Sequence, residues 1–345
     1  MKRRLGFALV GTGSIAKAYE EAFKGYPHAD IVAVCDINEE SARAFSSRIG
    51  CPAFTNIDEL TPDLRIDAAI VCTPPATHEP VSIALLQRGI HVLCEKPLST
   101  SVAAASRMLE AAKAYDTILT MASKFRYVSD IRMAKALIDV RAIGDLVLVE
   151  NAFTSRIDMT NRWNANPSVS GGGVLIDNGT HAVDILRYFM GHLSDVQIVE
   201  GRRVQGLPVE DTVRLFVRND DGVMGTSDLS WTIDKEMSTY LRLYGSEGTI
   251  LVGWKESKYR RRGEEDWTPF GRGYDKVQAF RSQIINFCEA ICGESELLIT
   301  PRDALASVET IGAAYAALER NRWETISTQL EEMIPVSTKR RLEAS

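Results

Sequence analysis

The sequence predicts an α/β protein of two units, a doubly wound parallel sheet followed by an α+β domain with a broad, mainly antiparallel open sheet. Three observations carry this. The 345 residues exceed the roughly 250 to 300 at which a single hydrophobic core stops growing. Up to about residue 122, short apolar runs alternate with helix-like stretches, the pattern of strands joined by crossover helices. Beyond it, strand-like runs follow one another without intervening helices, which favours antiparallel pairing.

The first unit reads as strands at Leu5 to Val10, Ile31 to Asp36, Asp67 to Cys72, Ile90 to Cys94 and Thr117 to Met121. Each is a near-continuous apolar run, as a strand covered on both faces requires. Helical stretches fall between them at Ser14 to Lys24, Glu39 to Arg48, His78 to Arg88 and Ser101 to Ala114. The second unit opens with a strand, Leu146 to Phe153, a Gly-rich turn and a long helix, Val174 to Met190. Strands follow at Val196 to Val204, Thr212 to Val217, Val223 to Trp231, Thr239 to Tyr244 and Thr249 to Val252, then helices at Val277 to Cys292 and Arg302 to Leu318. The expected division is 1–122, 123–330 and a tail, 331–345, with loosening from about Ser327.

Composition narrows the partners. The net charge is -6, and Lys and Arg are dispersed, so nothing favours nucleic acid or an anionic membrane as partner. No run approaches the roughly 18 apolar residues of a membrane span. Met1 to Arg4 lead directly into a strand, without the pattern of a secretory signal. The six cysteines lack CxxC spacing and read as reduced and mostly buried. A cytoplasmic protein with a small-molecule partner is expected.

Between the first strand and first helix lies Gly11-Thr12-Gly13-Ser14-Ile15-Ala16, a GxGxxA turn. The first glycine permits the tight turn, the second lets a pyrophosphate approach the backbone, and the alanine allows close helix packing. The helix N-terminus offers free N–H donors to phosphate. This is the fingerprint of a Rossmann dinucleotide-binding domain. Asp36 ends the second strand, where a carboxylate accepts from adenosine ribose hydroxyls and repels a 2′-phosphate; Ile37 and Asn38 bring no arginine to offset it. NAD is favoured over NADP. The bland alternative is that Asp36 only opens a turn before the next helix.

Chemistry is sought at the carboxyl ends of parallel strands. There stand Thr73-Pro74-Pro75-Ala76-Thr77-His78 and Glu95-Lys96-Pro97. A Lys beside a Glu at a strand end also fits an ordinary solvated rim, but a desolvated ammonium at that edge is suited to acid-base work. In the long helix, Asp177, His181 and Asp184 share one polar stripe on a mostly apolar surface, so the stripe is expected to face something wet; a solvent face or satisfied core groups remain the alternatives. Zinc is a further reading of Asp and His at helical spacing, but no other ligand cluster supports it, and no metal is expected.

The GxGxxA turn, the Thr-Pro-Pro-x-x-His loop, Glu95-Lys96-Pro97, the Gly171-Gly172-Gly173 to Asp-x-Gly-x-His-x-x-Asp segment, and Pro301-Arg302-Asp303-Ala304 before Ala314-Tyr315 occur in one order across nearly the whole chain. Together they resemble the glucose-fructose oxidoreductase, inositol dehydrogenase and MocA (Gfo/Idh/MocA) family. The resemblance implies hydride transfer between NAD and a carbinol or carbonyl carbon of a sugar, sugar derivative or cyclic polyol. Two other activities on the same fold stay open: a redox-neutral glycosidase that retains its NAD, and an NAD-binding regulator without turnover. It implies Lys96, Asp177 and His181 as catalytic residues, with Lys96 and His181 flanking the reacting carbon. The implied cofactor contacts are Gly11, Thr12, Gly13, Ser14, Ile15, Asp36, Ile37, Thr73, Pro74, Pro75, His78, Glu95, Lys96, Arg126 and Trp163. Lys96, Lys124, Arg162, Asp177 and His181 are the implied substrate contacts. It further implies a cis Lys96-Pro97 bond and a homodimer or homotetramer formed through the broad sheet. Lys258 to Arg262 reads as a loop that either meets phosphates of a nucleotide sugar or is simply solvated.

Overall fold

The computed structural model describes residues 4–327; the expected loosening past Ser327 and the tail 331–345 lie outside the described residues. Strands β1 (Leu5–Val10), β2 (Ala29–Cys35), β3 (Ala53–Phe54), β4 (Ala68–Val71), β5 (His91–Glu95) and β6 (Leu119–Ala122) form one sheet in the order β3-β2-β1-β4-β5-β6. Every neighbouring pair is parallel. Helices α1 (Ala16–Phe23), α2 (Glu39–Ile49), α3 (His78–Leu86) and α4 (Val102–Ala114) make the crossovers. β1 and β4 are buried along their whole length, which is why their sequences do not alternate. Local chemistry sets the helix ends: Asn38 accepts from Ser41 N–H to cap α2, and Ser101 accepts from Ala104 N–H to cap α4. Strand order reverses between β1 and β4, which opens a crevice at their carboxyl ends.

The second sheet takes its strands from β7 (Leu146–Thr154), β8 (Asp195–Glu200), β9 (Thr212–Arg218), β10 (Met224–Ser230), β11 (Thr239–Gly245), β12 (Gly248–Gly253), β13 (Ser257–Arg261), β14 (Thr268–Gly271) and β15 (Glu324–Thr325). Their order is β14-β13-β12-β11-β7-β10-β9-β8-β15. The pairing is mainly antiparallel, with one exception: β7 inserts between β11 and β10 and runs parallel to β10. A crossover that includes the long helix α7 (Val174–Met190) makes that pairing possible. Before it lie α5 (Ser129–Asp139) and the single turn α6 (Pro167–Ser170). α5 was not anticipated, although Ile131 and Ala134 give it a buried face. The expected loop from Lys258 is instead strand β13, paired between β12 and β14, with Lys258 and Arg260 lying 5.8 and 4.7 Å from the Trp267 ring centroid.

The last two helices, α8 (Lys276–Ile291) and α9 (Pro301–Arg320), return to the first sheet. Phe280, Ile284, Phe287 and Cys288 of α8 share a core with Phe7, Leu9, Tyr19 and Phe23. Ala304, Leu305 and Val308 of α9 join the opposite face with Ala8, Val10 and Val92. Alternate residues of β1 thus pack against helices drawn from both ends of the chain, and a boundary near residue 122 separates sheets without separating cores. Phe287 is 1% exposed and meets Phe7 edge-on at 6.2 Å. Phe287→Ala should therefore cost about 3–5 kcal/mol, read as a lower denaturant midpoint of the N-terminal domain; an unchanged midpoint would contradict a shared core.

Candidate active site

The GxGxxA turn occupies the crevice between β1 and β4. Gly11 has φ +92°, and a Cβ there would fall 2.8 Å from the Cys72 carbonyl carbon and oxygen, so only glycine fits the turn. A Cβ on Gly13 would meet nothing within 4 Å; its backbone faces open space at the start of α1, which carries no side-chain cap. Free N–H groups and the positive end of the helix are thereby left for an anion. Asp36 stands at the end of β2, where Oδ2 accepts from the Thr12 N–H at 2.7 Å and its hydroxyl at 2.8 Å, while Oδ1 accepts from Asn38 N–H at 2.9 Å. A carboxylate has about four acceptor positions, so capacity for a ribose hydroxyl remains. Ile37 beside it is 95% exposed. These residues fit a dinucleotide without a 2′-phosphate.

β5 carries Glu95 and Lys96 to the same rim, and the Lys96-Pro97 peptide is cis. Lys96 Nζ donates to the Asp177 carboxylate, a short contact, and to the Asp177 carbonyl oxygen at 3.0 Å. Glu95 is buried; Oε1 accepts from the Tyr19 hydroxyl at 2.8 Å and Oε2 from Lys96 N–H at 3.2 Å. Burial pushes its carboxyl up, opposed by the Tyr19 hydroxyl and the charges of Lys124 and Lys96. Ile15, Thr73, Pro75, Glu95, Lys96, Trp163 and Asp177 line one cavity of about 160 Å³, together with Cys72, Asn164 and Ser170, which sequence reasoning had not singled out.

Helix α7 supplies the opposing wall, and its start is held from outside. Glu210 accepts from Gly173 N–H at 2.9 Å and Leu175 N–H at 3.1 Å through its side chain, and from Val174 N–H at 2.9 Å through its carbonyl. The Tyr315 hydroxyl donates to the same carboxylate at 2.8 Å. A Cβ on Gly172 would lie 1.9 Å from that hydroxyl and one on Gly173 2.0 Å from the Glu210 carbonyl oxygen, so the glycine run exists for close approach. Glu210 was missed because nothing local in sequence links it to a helix that begins 36 positions earlier, at Val174.

The polar stripe of α7 splits between two environments. Asp177 faces the cavity, but His181 and Asp184 are buried, so the stripe does not face solvent along its length. The His181 ring lies edge-on to Phe125 at 5.1 Å and Phe153 at 6.4 Å, and its buried Nδ1 has no partner among the described residues. Burial, then the charges of Lys96 and Lys124, hold it well below the ordinary histidine range, so a ring titrating near neutrality is not what this environment gives. Asp184 pairs with Arg126 at 2.8 Å, and Arg126 also reaches Asp303 at 3.3 Å and the Leu298 carbonyl at 3.3 Å. Arg126 is thus committed to tying α7 and α9 to the segment after β6. His78 is buried, with its ring nitrogens 2.8 Å from the carbonyls of Pro97 and Thr73; it joins the two rim loops and is not open to the cavity. Pro74 precedes the 3-10 turn Pro75–Thr77 on that loop, Arg162 is exposed beside Trp163, and Lys124 lies in the 3-10 turn Lys124–Tyr127 after β6. Among the described residues no group of three His, Cys, Asp or Glu side chains could hold a metal ion, and no helix is long and apolar enough to cross a membrane.

Comparison with known proteins agrees with this geometry. Residues 5–123 match the profile described as "Oxidoreductase family, NAD-binding Rossmann fold", and residues 131–251 match "GFO/IDH/MocA C-terminal domain". The chain is 27% identical over 254 residues to myo-inositol 2-dehydrogenase of Thermotoga maritima, covering 71% of this chain and 74% of that one. It is 32% identical over 188 residues to glucose-6-phosphate 3-dehydrogenase of Bacillus subtilis, 52% of each. The crystal structure of GenD2 from gentamicin A biosynthesis in complex with NAD superposes with a TM-score of 0.84 at 28% identity, covering 95% of this chain and 98% of that one.

Removing Arg126 should separate structure from cofactor binding. Arg126→Met leaves a buried carboxylate unpaired and is expected to cost about 3–5 kcal/mol in thermal or denaturant melts, with NADH affinity retained below the transition; selective loss of NADH affinity would contradict the structural role. His181 gives a pH dependence. Unfolded histidine takes up a proton near pH 6.5 and the folded ring does not, so the unfolded state binds more protons and stability falls as pH drops below about 6.5. Melts from about pH 5 to 7 should show a shallower decline for His181→Asn than for the parent; equal slopes would contradict a ring buried neutral.

Proposed function

The chain belongs to the Gfo/Idh/MocA family of oxidoreductases, and from that premise we propose that it is an NAD-dependent dehydrogenase acting on a CH–OH group of a sugar, sugar derivative or cyclic polyol. The observation that carries the reading is convergence: the dinucleotide cradle on β1 and β2 and the Lys96–Asp177 pair open toward one rim, and buried His181 lies near enough to feel the charge of Lys96. NAD supplies the hydride acceptor, or as NADH the donor. Gly11 to Ile15 hold its diphosphate, Asp36 its adenosine ribose, and Ile15, Thr73, Pro75 and Trp163 shape the cavity where the substrate carbon is presented.

The proton follows from the side chains. Two of the three Lys96 donors are spent on Asp177, leaving one N–H for the substrate oxygen, where it stabilises developing negative charge. Asp177 fixes that ammonium in place. Neutral His181, with Nδ1 unpaired, takes the hydroxyl proton during oxidation and returns it during reduction. Burial among aromatic rings and the positive charges of Lys96 and Lys124 keep His181 from holding a proton between turnovers.

The relatives named above act, by their names, on an inositol and a sugar phosphate, which supports a polyhydroxylated substrate. All six cysteines are free, which supports the cytoplasm as location. The open face of the nine-stranded sheet exposes Val199 and Met224, which supports a homo-oligomer of the dimer or tetramer kind.

Incubation with NAD and a panel of inositols, aldoses, sugar acids and sugar phosphates should generate NADH absorbance with at least one member. Lys96→Met should lower kcat by about 10²- to 10⁴-fold while NADH binding survives. Failure of the parent protein to bind NADH, or turnover indifferent to Lys96, would overturn the reading.

A further inference from the structure

Lys124 is the ammonium that the ion pairs of the cleft leave over. It lies in the turn after β6, its Nζ 5.4 Å from the Phe125 ring centroid and 5.6 Å from that of Phe280. Among the described residues it makes no hydrogen bond, and no carboxylate stands within the 4.0 Å of an ion pair. The carboxylates of the cleft are engaged elsewhere: Asp177 receives Lys96, and the Glu95 oxygens accept from the Tyr19 hydroxyl and the Lys96 N–H. A second ammonium, Lys276 at the start of α8, lies 5.9 Å from the same Phe280 ring and also has no carboxylate within ion-pair distance.

Like charges gathered over one ring repel, and an enclosed charge without a counterion is costly. Burial, then the charge of Lys96, with a smaller push from Lys276, pull Lys124 down to about 8, opposed by Glu95 and Asp177. At neutral pH it remains mostly protonated. Such a group is stabilised by an anion from outside the chain, and an anion would restore its basicity.

We infer that Lys124, with Lys276 at the rim, receives an anionic substituent of the substrate, a carboxylate or a phosphate ester, so that the site selects sugar acids or sugar phosphates over neutral polyols. The inference rests on the proposed function and narrows its substrate class. The other anion at hand is the diphosphate of the cofactor, since α8 packs along α1. The substrate is favoured because the charge of Lys124 acts on His181 as well as on Lys96 and Asp177, the groups of the reaction centre, whereas the diphosphate cradle begins at Gly11 and Gly13.

The test is titration of the NADH-loaded protein with glucose, glucuronate and glucose 6-phosphate, followed by the fluorescence of bound NADH. At least one charged ligand should bind roughly tenfold or more tightly than glucose, as one charge-assisted contact provides. Lys124→Met should abolish that preference, Lys124→Arg should keep most of it, and both should bind NADH like the parent, which also reports that they fold. Equal binding of charged and neutral ligands, or no response to any of them, overturns the inference. So does a loss of NADH affinity in Lys124→Met, which would assign the ammonium to the cofactor diphosphate, or a loss of turnover with the binding preference intact, which would make Lys124 a proton-transfer group. Failure of the parent protein to bind NADH is a different result and sinks the proposed function itself.

Discussion

The ion pair between Lys96 and Asp177 is the joint on which the site depends. One partner ends a strand of the parallel sheet and the other sits in the first turn of the helix beneath the mixed sheet, so a single contact fixes the rim of one domain against the wall of the other. Each half is over-determined by its own packing. β5 is buried from Val92 to Glu95, and α7 begins where the Glu210 carboxylate, the Tyr315 hydroxyl and two glycines leave room for nothing else. The charges therefore meet as a consequence of two rigid cores, and neither side chain has to be ordered at the moment of binding.

Around that joint, burial and charge divide the titratable groups into distinct states. Lys96 is paired with Asp177, Glu95 is desolvated yet tethered by a tyrosine, His181 is held neutral among aromatic rings, and Lys124 is left enclosed without a counterion. Side chains with such different reference behaviour are brought within mutual influence by elements distant in sequence. The two faces of β1 are covered by α8 and α9 as well as by the early helices, so the C-terminal third of the chain contributes to the shape of the dinucleotide domain and to the aromatic floor beneath Lys124.

Much of this was legible in the sequence, for a physical reason. Strands buried on both faces must be continuously apolar, and the first glycine of a phosphate-binding turn cannot be replaced, so β1, β2, β4 and the turn between Gly11 and Ala16 announce themselves. Asp177 and His181 stand out because a helix so apolar has few uses for them. What stayed hidden depends on tertiary partners. The reach of Glu210 to α7, the capture of Arg126 by Asp184 and Asp303, and the clasp of His78 on two loop carbonyls leave no periodic trace. Strands β13 and β14, at one end of the nine-stranded sheet, were hidden for another reason: half-exposed and rich in Lys, Arg, Gly and Pro, they carry the composition of a loop while pairing as strands. The parallel insertion of β7 beside β10 is a matter of connectivity that no local pattern encodes.

If the two domains meet functionally at Lys96 and Asp177, the two side chains act as one unit in the transition state. A double-mutant cycle on kcat/KM with Lys96→Met, Asp177→Asn and the pair measures this directly. The account predicts that the double variant loses little more than the worse single variant. Losses that add independently would contradict it, and would mean that the contact joins the domains without serving the reaction.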